Sequence, residues 1–211
     1  MARLQSNSPA IRRSRRIIGI FQSLAFLFAF LLAGLVADSA EGDFRVERGK
    51  RELPEIGTFP ECVIWTKSTR VAVLVPPNCK GDPECGEKRL KLQFENYKGF
   101  ILLEFTSQSA QLASPENEAG LLRVVQNRFP DCPIRPAGRA YVGAVQGLAF
   151  DIERVTPFKT SLTTRLAFVG TPEGVLEISM TTDTSNFPGL RGTFVGFLGA
   201  VQIQPIKPGN R

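Results

Sequence analysis

Histidine is absent from all 211 residues. That excludes a Ser-His-Asp triad, a Cys-His pair, histidine metal ligands and a histidine pH switch. No Ser-x-x-Lys occurs, nor any phosphate-cradling G-x-x-x-x-G-K-[ST] or G-x-G-x-x-G, so serine chemistry of the β-lactamase type and the two common nucleotide loops lack their signatures. No Asn-x-Ser/Thr sequon is present, which disfavours a secreted eukaryotic glycoprotein. Acid is missing from residues 1–37, which hold five arginines (Arg3, Arg12, Arg13, Arg15 and Arg16). Residues 17–37 carry no charge at all.

The formal charge of +6 shrinks once it is located. Beyond residue 37 there are 21 basic and 20 acidic residues, a net of +1. A phosphate-binding surface is therefore not implied, and nucleic acid is not an expected partner. The hydrophobic content of 43% is that of a globular chain with a core to bury.

A basic stretch, then a long apolar run, then small residues at Ala37-Asp38-Ser39 read as an export signal cleaved before Ala40. The run is also long enough to span a bilayer as an uncleaved anchor. Both readings leave the arginines in the cytoplasm and put the domain outside it, in a periplasm or comparable compartment. Ser14-Arg15-Arg16 does not continue as a twin-arginine signal. Leu31-Leu32-Ala33-Gly34 lacks the following cysteine of a lipoprotein, since Leu35 stands there.

Four cysteines, Cys62, Cys79, Cys85 and Cys132, all lie beyond this segment. An even number in an exported chain suggests two structural disulfides with three possible connectivities. The turn-forming Lys80-Gly81-Asp82-Pro83-Glu84 favours Cys79 with Cys85, leaving Cys62 with Cys132. A zinc or redox site fits neither the spacing nor the lack of histidine, and no metal or cofactor is expected.

Residues 40–60 are dense in both charge signs and read as a solvated linker. One α+β domain is expected over 61–203, with a frayed tail at 204–211. Strands are expected at 70–76, at 90–94 with Leu90, Leu92 and Phe94 alternating, and at 99–106. Ser114, Pro115, Glu116 and Glu118 open a helix whose apolar face is Leu121, Leu122, Val125 and Phe129, ended by Pro130. Residues 139–155 read as a bent strand or a hairpin through Gly143 or Gly147. Residues 163–170 and 175–182 form a hairpin around Thr171-Pro172-Glu173-Gly174. Phe187, Leu190, Phe194, Phe197, Leu198 and Val201 fall at helical spacing. Gly189, Gly192, Gly196 and Gly199 make a second stripe beside them. Four helical glycines forgo roughly 4 kcal/mol against alanine, so the stripe is expected to dock closely on the sheet or to serve as a helix-docking face for a partner.

The functional candidates are few. Asp151 and Glu153 lie two apart on an expected strand, so their carboxylates share a face, as an ion site or a general acid/base pair would require; a solvated strand face is the plainer reading. Arg154 points the other way. Asp82 and Glu84 read as turn residues, and Trp65 as core or core rim, with ligand stacking behind.

The order of strands, helix, hairpins and closing helix resembles the photosystem II extrinsic P protein (PsbP) superfamily and the related DcrB-like periplasmic proteins. The residues that carry the resemblance are Gly147-Leu148-Ala149-Phe150-Asp151, the hairpin from Arg165-Leu166-Ala167-Phe168-Val169 to Val175-Leu176-Glu177-Ile178-Ser179, and residues 194–203. It extends back to about residue 89. The cysteines and the arm at 38–60 stand outside the pattern. The resemblance implies an antiparallel sheet flanked by helices, a PsbP-like α/β/α sandwich behind the N-terminal export or anchor helix. It further implies a non-catalytic binding or assembly role, with a protein or small ligand of the envelope as partner and no site residue carried over. The alternatives are a carboxylate- or ion-dependent extracytoplasmic enzyme and a structural protein anchored in the envelope membrane.

Overall fold

Strand alternation is clearest where one face must be dry. In β6 (Gly99–Thr106), Ile101, Leu103 and Phe105 are buried while Phe100, Leu102 and Glu104 on the opposite face are only half-covered. In the computed structural model, which describes residues 44–80 and 83–206, β6 is an inner strand of a seven-stranded antiparallel sheet. The others are β4 (Glu84–Gly86), β5 (Arg89–Gln93), β7 (Ile134–Val142), β8 (Val145–Val155), β9 (Ser161–Thr171) and β10 (Gly174–Asp183), in the order β4-β5-β6-β10-β9-β8-β7. The expected hairpin is β9–β10, with Thr171 paired to Gly174 across Pro172-Glu173. The long segment at 139–155 resolves as a hairpin turning at Gly143, not a bent strand. Gly143 has a φ of 58°, and an added Cβ would collide with the Val201 carbonyl oxygen, so only glycine fits there.

A second sheet corrects the expected organisation. Residues read as linker form β1 (Arg45–Leu53) and the first half of β2 (Gly57–Trp65), paired from Arg45–Trp65 to Leu53–Gly57. With β3 (Thr69–Leu74) and β11 (Gln202–Pro205) they make a four-stranded antiparallel sheet, β1-β2-β3-β11. The tail is likewise not frayed at its start: Gln204 pairs with Arg70 and Pro205 with Thr69. β1 escaped the reading because it is an edge strand wet on both sides, so it has no apolar period to show.

Among the described residues two helices complete the α+β fold: α1 (Glu118–Arg128), entered through 3-10 turns at Ala110–Ala113 and Pro115–Asn117, and α2 (Phe187–Ala200). The seven-stranded sheet has a core on each face. On the inner face Leu92, Ile101, Ile178, Met180 and Val169 meet Cys62, Ile64, Val71 and Val73 of the small sheet, together with Leu190, Phe194, Phe197 and Leu198 of α2. On the outer face Leu121 and Val125 of α1 meet Leu148, Phe150, Ile152, Leu166 and Phe168. The large sheet is therefore flanked by one helix on one side, and by a helix plus a sheet on the other. All described residues belong to one compact unit, Asp43–Arg211. The export or anchor segment, the first residues of the expected linker, Asp82 and the last five residues lie outside the described residues. No helix among the described residues is long and apolar enough to cross a membrane.

Candidate functional site

Antiparallel register decides which charged side chains can meet, because directly opposed residues share a face. Asp151 on β8 lies opposite Arg165 on β9 and opposite Arg135 on β7. Its carboxylate is gripped by both arms of Arg165, with Nε on Oδ1 at 2.7 Å and a terminal nitrogen on Oδ2 at 2.6 Å. Arg165 is 7% exposed, and its guanidinium lies 5.5 Å from the Phe187 ring centroid at the start of α2. Glu153 takes a looser ion pair from Arg135 at 3.4 Å. The two carboxylates do share a face, as the sequence implied, but each is already answered by an arginine. Their geometry is that of a cross-strand charge ladder locking β7, β8 and β9. Among the described residues no group of three or more cysteine, aspartate or glutamate side chains is placed to hold a metal ion.

No two of the four cysteines stand at disulfide distance in this structure. Cys79 bridges to Phe94, whereas Cys85 pairs with Leu90. Four residues along a strand is roughly 13 Å, and a disulfide needs Cα atoms within about 7 Å. Cys62 belongs to the core on the inner face of the large sheet, while Cys132 packs on the outer-face core, so that pair is separated by the sheet itself. Burial pushes the Cys62 thiol up to about 11, with nearby Cys85 and then Glu61 adding and Arg48 opposing. Burial, then Glu95, pushes Cys79 up to about 12. Cys85 is exposed and Cys132 half-buried.

The glycine stripe does not pack on the sheet. A Cβ at Gly189, Gly192, Gly196 or Gly199 would meet nothing within 4 Å. The stripe lies on the exposed side of α2, together with Val195, while Leu190, Phe194, Phe197 and Leu198 dock the helix. Close packing against the sheet is not what the glycines serve.

Trp65 is half-buried and held between two cations, Arg45 at 5.8 Å and Arg70 at 5.5 Å from its ring, with its Nε1 donating to Glu47 Oε2 at 2.8 Å. Glu84 is exposed and pairs with Lys91 at 2.8 Å, which holds its carboxyl below the usual range.

Sequence reasoning missed two features. Glu173, read only as a turn residue, accepts from the Thr66 hydroxyl, the Ser68 backbone N–H and the Ser68 hydroxyl. It ties the β9–β10 turn of one sheet to the β2–β3 turn of the other. The second feature is a cleft on the outer face of the large sheet, where α1 ends. It measures about 190 Å³ and opens between Arg128 and Phe129 of the helix end and Phe100, Leu102, Arg154 and Ser179 of the sheet. Arg128 donates to Glu177 at 2.6 Å; Glu177 is 3% exposed, and that burial pushes its carboxyl up, against the opposing pull of Arg128. A groove of about 360 Å³ lined by Arg89 and Lys91 shares Phe100 and Leu102 with the cleft. The alternation that put Arg154 opposite in direction to Asp151 was visible in the sequence. The helix end that closes the cleft over it was not.

No family model matches the chain, and no curated protein does. Solved structures overlap it distantly. A Bacteroides thetaiotaomicron protein aligns at 13% identity and a TM-score of 0.45, over 67% of this chain and 47% of its own, so the chain spans about half of that protein's length. The Pseudomonas aeruginosa protein of unknown function PA94 aligns at 13% identity and a TM-score of 0.42, over 76% of this chain and 99% of its own. The Saccharomyces cerevisiae Ran-binding protein Mog1p aligns at 9% identity and a TM-score of 0.41, over 75% of this chain and 96% of its own. These overlaps assign neither a family nor an activity.

Proposed function

We propose that this chain is a binding or assembly module of the bacterial cell envelope, held outside the cytoplasm, whose work is recognition and not catalysis. The observation that carries the location is the charge asymmetry at the N-terminus: five arginines and no acid, running directly into 21 uncharged residues. Binding is favoured over the carboxylate-enzyme alternative by the charge ladder. Asp151 and Glu153 are each paired with an arginine, so neither carboxylate is left over to move a proton or ligate an ion. The finer fold assignment, a PsbP-like sandwich, belongs to the same proposal. It is supported by the run of elements from β5 to β11 and by the residues of β8, β9, β10 and α2 that prompted the resemblance. The extra small sheet is a departure from the simple helix-flanked pattern.

The test is the intact, non-reduced mass of the protein from separated membrane and soluble envelope fractions. Loss of residues 1–39 in the soluble fraction supports a released domain; a full-length mass in the membrane fraction supports an anchored one. Recovery of the full-length chain from the cytoplasm refutes the proposal.

A further inference from the structure

An arginine stays charged under all ordinary conditions, and a buried donor of a charged group left without an acceptor is expensive. Arg154 is in that position. Its Nε is shielded from solvent and has no hydrogen-bond partner, and among the described residues it forms no ion pair. It stands on the outer face of β8 and walls the cleft at the end of α1. Arg128 enters the same cleft from the helix with one terminal nitrogen spent on Glu177. No carboxylate lines the cleft, and Phe100, Leu102 and Leu166 give it an apolar floor. Ser179 lines it as well, beside Thr164 and Thr181, whose hydroxyls bond each other at 2.9 Å.

From these features we propose that the cleft binds a small organic carboxylate carrying a flat apolar body. The carboxylate takes the orphaned Nε of Arg154 and the free donors of Arg128, and the body lies on Phe100 and Leu102. Glu177 already answers Arg128, so Arg154 is the guanidinium left to be matched, which suits a monoanion. A volume of about 190 Å³ is below the ~300–1,000 Å³ of sites for drug-sized ligands, which limits the body to about one ring. The two arginines offer planar, paired donors, the geometry that recognises a carboxylate. This inference adds a ligand class to the binding role proposed above and makes no claim about compartment.

The test is isothermal titration of the full chain, purified in a non-ionic detergent, with phenylacetate, its neutral isostere phenylacetamide, and acetate. Phenylacetate is expected to bind, with the amide and acetate each weaker by about tenfold or more. Arg154→Met keeps the stem and removes the donors. It is expected to abolish the preference for phenylacetate over phenylacetamide while leaving Tm unchanged or higher, because no partner in the fold is lost. Absence of phenylacetate binding, equal binding of acid and amide, or an intact preference in the Met variant overturns the proposal. A clear fall in Tm also overturns it, since Arg154 would then be answering a group of the protein itself. Cell fractionation scores the envelope reading separately, so the two can fail independently.

Discussion

Alanine in place of Gly192 and Gly196 should stabilise the protein, and the size of the gain can be worked from α2. Both glycines are interior to the helix, and neither has any atom within 4 Å of where a Cβ would stand. Filling them therefore incurs no steric penalty. Each replacement recovers the helix propensity that glycine forgoes, about 0.8–1.0 kcal/mol, much of it by narrowing the unfolded ensemble. The two sites are one turn apart and alanine is small, so the effects should nearly add, giving about 1.5–2 kcal/mol. For a domain of this size that corresponds to a rise in Tm of about 3–8 °C. Gly189 and Gly199 lie within a turn of the helix ends and should contribute less. The assay is a thermal melt followed by far-UV circular dichroism, with Gly143→Ala as the opposite control. That substitution meets the Val201 carbonyl in a left-handed backbone and should lower Tm. A fall in Tm for Gly192→Ala/Gly196→Ala would refute the reasoning, because it would mean that the exposed face of α2 is covered in the native protein.

Four further outcomes follow from the same structure. Maleimide labelling at neutral pH should modify Cys85 first and Cys132 next, with Cys62 and Cys79 reacting only on unfolding; rapid labelling of Cys62 would contradict its burial. For the reduced protein, both buried thiols are raised above their ordinary value of 9.0, to about 11 and about 12. The unfolded chain then holds fewer protons than the folded one above pH 9, so this stabilisation is whole below that pH and is lost as pH climbs toward 12, which urea titrations across the range would register. Asp151→Ala strips the partner from a nearly buried Arg165 and should cost about 3–5 kcal/mol, whereas Glu173→Ala should cost about 1–3 kcal/mol by leaving Thr66 and the Ser68 N–H without their acceptor; chemical denaturation measures both, and unchanged midpoints would remove the charge ladder and the inter-sheet clamp from the account.

What the sequence made legible tracks how one-sided each element is. β9 and β10 are apolar on their inner faces and meet at a turn with proline and glycine in place, so their pairing could be read directly. α1 showed its stripe and its stop but not its start, since Ser114 leads into a 3-10 turn at Pro115–Asn117 and the helix begins at Glu118 without a side-chain cap. β1 could not be read, because Arg45, Glu47, Arg48, Lys50 and Glu52 leave no dry face; only pairing with β2 makes it a strand. The favoured Cys79–Cys85 pairing took proximity in sequence for proximity in space, whereas the four positions from Leu90 to Phe94 hold the two apart more widely than their five-residue loop suggests. The carboxylate pair was correctly placed on one face, but its neutralisation depended on Arg135 and Arg165, which come together only through the order of three strands. Glu173 and Arg154 depend likewise on long-range closure, one between the two sheets and the other under a helix end.

The seating of β11 on β3 bears on the order of events during synthesis. Ile203 pairs with Val71 and Gln202 with Ala72, across all seven strands of the larger sheet in sequence. The edge of β3 thus waits, with unpaired backbone groups, until residues 202–205 are available to pair. Pairings so distant along the chain slow folding, since the closure of a long loop must precede any reward from the contact. A polypeptide that completes its smaller sheet only after every strand of the larger one has been made leaves that sheet open while everything between assembles.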